Sequence, residues 1–84
     1  MYMEGAVRRS TPQSRHIGIK VKYYREQRGL TQRELAARLQ TAGCDLTETM
    51  VGQIEIGYRA TSVFEIDKLA EVLGVDYNAL FARE

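Results

Sequence analysis

From Ile17 onward the apolar residues of this 84-residue chain fall at helical spacing, in short runs closed by glycine. Ile17, Val21, Tyr24 and Arg28 stand at i, i+4, i+7 and i+11, which predicts one face of a helix ending near Gly29. Thr31 and Glu34 then have the spacing of a capping box, in which each side chain satisfies a free backbone N–H of the other, and Leu30 and Leu35 occupy the positions of a hydrophobic staple. Leu35, Ala36 and Leu39 continue as an apolar stripe. Residues 40–46 (QTAGCDL) contain Gly43 and Asp45 and predict a turn. Thr47 is placed to cap a third helix over about 47–56, with Leu46 and Val51 as its staple, Val51 and Ile54 as its inner stripe and Gly57 as its stop. Ser62 and Glu65 repeat the capping box ahead of Ile66, Leu69, Ala70 and Leu73, and Gly74 closes that helix. Val75, Asp76 and Leu80 predict a fifth, short helix before Phe81. No run of β-branched residues alternates with polar ones, so the expectation is an all-α, compact five-helix domain over 17–84.

Residues 1–16 (MYMEGAVRRSTPQSRH) hold the only proline and no apolar periodicity, and they predict a flexible basic N-terminal arm. The composition, 44% hydrophobic and 27% charged, is that of an ordinary globular domain. One core of this size is modest, so self-association would help to stabilise it. One cysteine excludes an internal disulfide framework and a multi-cysteine zinc site, and one histidine leaves a structural metal short of ligands; no cofactor is expected. No apolar run approaches the roughly 20 residues that span a bilayer, and residues 1–16 lack the apolar stretch of a signal peptide. The expectation is a soluble, cytoplasmic domain without a membrane partner.

The net charge of +1 hides an uneven distribution. Residues 1–16 carry three Arg against Glu4, and residues 17–59 carry seven Lys or Arg against five acids. Residues 60–84 carry Lys68 and Arg83 against five acids. A basic front and an acidic end hint at a polyanion on one part of the surface, although the pI of 7.9 lies below the range typical of nucleic-acid-binding domains.

Two capped helices joined by a turn have the layout of a helix-turn-helix. With Val51, Ile54 and Glu55 inward, Glu48, Thr49, Gly52 and Gln53 face outward at helical spacing. Short polar side chains near a helix N-terminus suit base edges in a major groove. The plainer reading of the same pattern is a small surface helix.

Beyond this spacing, the stretches IGIKVKYYREQRGLTQRELAARL, TETMVGQIEIGYR and FEIDKLAEVLGVDYNALF keep the order of a known family. Over Ile17 to Phe81 the chain resembles the Cro-like, xenobiotic-response-element-type helix-turn-helix family of phage repressors and bacterial regulators. The resemblance implies a repressor-like fold, sequence-specific binding of double-stranded DNA as a homodimer, and regulation of transcription. It places base reading on Glu48, Thr49 and Gln53. Gln53 suits adenine, Thr49 either base type or a thymine methyl, and Glu48 the N4 amine of cytosine. It places backbone contacts on Gln32, at the positive end of the second helix, and on Tyr58 and Arg59. Arg25 and Glu55 match an internal ion pair, and Glu55 lies on a face where an unpaired carboxylate is costly. Arg8, Arg9 and Arg15 of the arm are candidates for a minor groove or the phosphate backbone, with a solvated tail as the alternative.

Three features depart from the family. The segment from Leu39 to Glu55 is about five residues longer than the usual turn, an excess that can stay on the surface because added loop length costs little closure entropy, or that can extend the second helix or shift the third. Glu48 repels phosphates unless it meets cytosine. Gly52 weakens a short helix by about 1 kcal/mol relative to alanine, while allowing close approach of DNA to the backbone. Cys44 sits in the lengthened turn without a nearby base, and Thr31 and Ser62 have capping roles, so no enzyme activity is expected. Tyr77, Leu80 and Phe81 offer a self-association surface, or alternatively the closure of the core. The second function class is a protein-interaction module of the same fold, an antitoxin or regulatory subunit with a protein partner, which Glu48 and the near-neutral charge favour.

Overall fold

Each α-helix among the described residues begins on a side chain that folds back to its own backbone. The computed structural model describes residues 11–82. Among them are four α-helices, α1 (Pro12–Gln27), α2 (Gln32–Thr41), α3 (Glu48–Glu55) and α4 (Val63–Leu73), then a 3-10 turn over Tyr77–Leu80. No strand occurs among the described residues.

The first helix starts earlier than the periodicity predicts. The Thr11 hydroxyl accepts from the Ser14 N–H at 3.0 Å, and the Thr11 N–H donates to Ser14 Oγ at 2.8 Å. Pro12 follows at the first helical position, where its missing N–H has no partner to lose. The expected boundary between arm and domain at residue 16 therefore falls inside α1, and Arg15 is a helical residue. Arg8 and Arg9 lie outside the described residues.

The inner face of α1 is also rotated from the expected one. Ser14, Ile17, Gly18, Val21 and Arg25 are buried, whereas Tyr24 is half-buried and Arg28 exposed. Gly18 explains the rotation. A Cβ there would sit 2.8 Å from the Glu55 carbonyl oxygen and closer still to that of Ile54, so the missing side chain lets α1 touch the backbone of α3.

Thr31 and Glu34 form their capping box, at 2.8 and 3.0 Å, and Leu35, Ala36 and Leu39 point into the core. The helix continues through Thr41, so the connection to α3 is only residues 42–47. Part of the excess thus extends the second helix, and the rest is only partly at the surface, with Gly43 and Asp45 exposed. Cys44 and Leu46 are 2% and 1% exposed, the Cys44 N–H donates to the Leu39 carbonyl at 2.8 Å, and the Gln40 amide donates to the Leu46 carbonyl at 3.0 Å. The added residues bring their own apolar side chains into the core, and burial pushes the Cys44 thiol pKa up, away from reactive thiolate.

Thr47 caps α3, which buries Val51, Ile54 and Glu55. Ser62 and Glu65 cap α4, which buries Ile66, Leu69, Ala70 and Leu73 and ends at Gly74 with φ of 71°. The expected fifth helix is a single 3-10 turn. Asp76 makes no side-chain cap bond, and a four-residue segment without one lacks the start that the other helices have. Leu80 is fully buried and closes the core rather than a partner surface; Tyr77 and Phe81 stay partly exposed, with ring centres 5.4 Å apart. In space α3 packs on both α1 and α2, while α4 covers α2 and the 3-10 turn.

The buried connection makes a testable statement. Leu46→Ala should destabilise the fold by about 2–5 kcal/mol in urea unfolding, as other buried leucine truncations do. Asp45→Ala, at the exposed neighbour, should stay within about 0.5 kcal/mol of the wild type. Equal effects at the two positions would show that the connection is not part of the core.

Candidate nucleic-acid interface

The outer face of α3 is defined by what its inner face must hold. Glu48 and Thr49 are exposed, and Gly52 and Gln53 are half-exposed, on the side opposite Val51, Ile54 and Glu55. Ile56, which caps the helix, joins them and is 73% exposed. The sequence pattern assigns Ile56 only to the end of the helix and not to either face; one turn away from Gly52, it faces out.

Two interactions orient this face. Arg25 Nε donates to Glu55 Oε2 at 2.6 Å, and Arg25 NH2 donates to Glu55 Oε1 at 3.0 Å. The pair is enclosed, with the Glu55 side chain 2% and the Arg25 side chain 11% exposed. The hydrogen bond from Arg25 to Glu55 holds the guanidinium pKa above its ordinary value, against the opposing pull of burial. Arg25 NH1 also donates to the Leu30 carbonyl at 2.7 Å, so one side chain ties α1, the α1–α2 connection and α3 together.

The second interaction is at the start of α1. Ser14 Oγ donates to the Gly57 carbonyl at 3.1 Å. Gly57 has φ of 79°, and a Cβ there would lie 2.5 Å from Arg15 Cγ. The turn after α3 thus rests on the stem of Arg15, which places this arginine beside α3 instead of on an independent arm.

The residues expected at the DNA backbone differ in how free they are. Tyr58 is 54% exposed. Arg59 is already paired: its two terminal nitrogens meet the Glu65 carboxylate at 3.1 and 3.3 Å, and that carboxylate also caps α4 through the Ser62 N–H. The N–H groups of Tyr58 and Arg59 donate to the Gln53 carbonyl at 2.9 and 3.2 Å, which fixes their segment to the end of α3. Gln32 is half-buried, and its amide donates to Glu55 Oε1 at 2.9 Å. Its carboxamide lies over Gly52, the residue expected to allow DNA close to the helix backbone.

No group of three or more His, Cys, Asp or Glu able to hold a metal occurs among the described residues. Among these residues, no helix is long and apolar enough to cross a membrane.

A helix-turn-helix family model matches residues 21–80. Among solved structures, the chain is similar to the restriction-modification controller protein C.AhdI from Aeromonas hydrophila, at 31% identity and a TM-score of 0.71 over 81% of this chain and 91% of that one. It is also similar to an HTH_3 family transcriptional regulator from Vibrio cholerae, at 26% identity and a TM-score of 0.70 over 81% of this chain and 35% of that one. No curated protein sequence matches the chain.

Glu55→Ala should cost about 3–5 kcal/mol in thermal or urea unfolding, because it strands Arg25 in the core. Restoration of much of that loss by adding Arg25→Met to Glu55→Ala would attribute it to the unpaired charge. A loss below about 1 kcal/mol for Glu55→Ala alone would show that the pair does not hold the helices.

Proposed function

We infer that this chain, which belongs to the helix-turn-helix family, is a sequence-specific DNA-binding transcriptional regulator that reads the major groove with α3. The observation that carries the reading is the outer face of α3. Its polar side chains, Glu48, Thr49 and Gln53, stand on a short capped helix whose other side is locked to α1 by the Arg25–Glu55 pair and the Gly18 contact, and to α2 by the Gln32–Glu55 hydrogen bond. A rigid element with adaptable hydrogen-bonding groups is what base readout requires. Gln53 pairs with adenine, Thr49 contacts a base edge or a thymine methyl, and Glu48 accepts from cytosine. Ile56 adds an apolar end to the same face.

Gln32, Tyr58 and Arg59 flank this face as backbone contacts. Arg15, on α1 beside Gly57, joins them, and Arg8 and Arg9 precede it in the chain. For Arg59, a phosphate must take the place of Glu65. The regulator acts as a homodimer, whose two copies would read half-sites one helical turn apart. Its self-association surface centres on Val63, Tyr77 and Phe81, which line a groove of about 250 Å³ beside the first turn of α1. Val63 is 71% exposed, an apolar group without cover in the single chain.

The second reading, a module that binds a protein partner, is favoured by two observations. Glu48 is exposed on the outer face of α3, and Arg59 is neutralised within the chain. Selection from random duplex DNA separates the two readings. The regulator should enrich a defined, two-fold related sequence and lose affinity steeply with salt. Gln53→Ala should weaken binding to the selected duplex by roughly 1–3 kcal/mol while leaving binding to random duplex unchanged. Failure to enrich any sequence, even at low salt, would favour the protein-binding module.

A further inference from the structure

The carboxamide of Gln32 is not a free surface group, and its confinement has a consequence for the contact assigned to it. Both of its neighbours belong to α3. The amide nitrogen donates one hydrogen to Glu55 Oε1 at 2.9 Å, and the same oxygen accepts from Arg25 NH2 at 3.0 Å. On its other side is Gly52 of α3, where an added Cβ would stand 3.6 Å from Gln32 Oε1, in ordinary van der Waals contact. Glu55 thus spends one carboxylate oxygen on two partners, and only one of these, Arg25, is needed to neutralise it.

We propose that Glu55 is a positioning residue for DNA contact, holding the Gln32 carboxamide across the start of α2 so that its second amide hydrogen is left to donate to a phosphate. This role rests on the DNA-binding reading above. A glutamine has three rotatable bonds before its amide, and their freezing opposes any new contact. The bond to Glu55 imposes that loss during folding, before DNA arrives. It also fixes which end of the amide faces the carboxylate, because a carboxylate accepts only from the N–H₂ end. Gly52 completes the arrangement by leaving room for the amide on the surface of α3.

The experiment uses the full chain and the duplex enriched from the random library. Gln32→Ala, Glu55→Met and their combination are compared by fluorescence anisotropy at several salt concentrations, with circular dichroism to follow folding. Gln32→Ala should weaken binding roughly tenfold or more. Glu55→Met, which has no oxygen to accept from the amide, should also weaken it, and the combination should be no weaker than Gln32→Ala alone, because both changes remove the same contact. The salt slope should match the wild type, since Gln32 is neutral and releases no counterion. A structural role of Glu55 predicts losses that multiply, and that outcome overturns the proposal, as does an unchanged affinity of Gln32→Ala.

Gly52→Val provides an arm independent of the ion pair. Its branched methyl groups would displace the amide while leaving Arg25 and Glu55 untouched, and it should reproduce the loss in the wild-type background but not in Gln32→Ala. This arm decides the matter if Glu55→Met fails to fold. Absence of any enriched duplex for the wild type would overturn the DNA-binding reading itself, before any variant is compared.

Discussion

The ion pair between Arg25 and Glu55 sets the geometry on which the α3 surface depends. Two charges inside a small apolar core are unfavourable unless each finds its partner at close range. Here each does so twice, since Arg25 also donates to the Leu30 carbonyl and Glu55 also accepts from Gln32. Those four groups belong to α1, the connection after it, α2 and α3. An apolar pair of similar volume fills the same space at no loss of stability in other proteins, but it lacks direction. The guanidinium fork and the carboxylate plane meet in one orientation. The pair therefore acts on the angle between helices more than on the depth of the energy minimum, and a helix that reads base edges needs the angle.

Gly18 supplies the other half of that constraint. The Arg25 side chain reaches Glu55 because α1 and α3 are already in backbone contact two turns earlier, where a methyl group would collide with two carbonyls. Glycine in the middle of a helix weakens it by about 1 kcal/mol relative to alanine. In α1 the loss is offset by the contact it permits and by the start of the helix, where Pro12 and the Thr11–Ser14 box define the first turn. The weakness at Gly18 is thus offset by that contact and by the start of α1, and the result is a fixed platform under α3.

How much of this was legible depends on whether a signal is local. The boxes of Thr31 with Glu34 and Ser62 with Glu65 are complete within four residues, and both were readable. The box at Thr11 was equally local, but Ser14 stands where a glutamate is usual, and the segment around it looked like a basic tail. Cys44 and Leu46 were hidden for a different reason. A turn has no period, so nothing in QTAGCDL says which side chains point inward. The fifth helix was over-read because Asp76 has the right spacing but makes no cap bond. At the candidate site, the outer face of α3 followed by subtraction from its inner face. The partners of Gln32 and Arg59 did not, because Glu55 and Glu65 reach them only through tertiary packing or across a turn.

Those hidden partners change what the near-neutral charge means. Counting Lys and Arg treats every cation as available to DNA, yet Arg25 is enclosed and Arg59 is paired with Glu65. In the proposed complex a phosphate that recruits Arg59 exchanges one anion for another. The number of ion pairs is unchanged, and the freed Glu65 carboxylate still caps α4 through Ser62. Such an exchange adds little affinity, but it discriminates by position, because only a phosphate at the place of the carboxylate can make it. Gln32 follows the same logic with a neutral group, held by an internal anion at the start of a helix. Affinity must then come from the remaining cations and from base contacts, while the internally paired residues fix where along the duplex α3 sits. A surface organised in this way needs no large positive charge to be selective, which is how a chain with a net charge of +1 is compatible with a DNA-binding role.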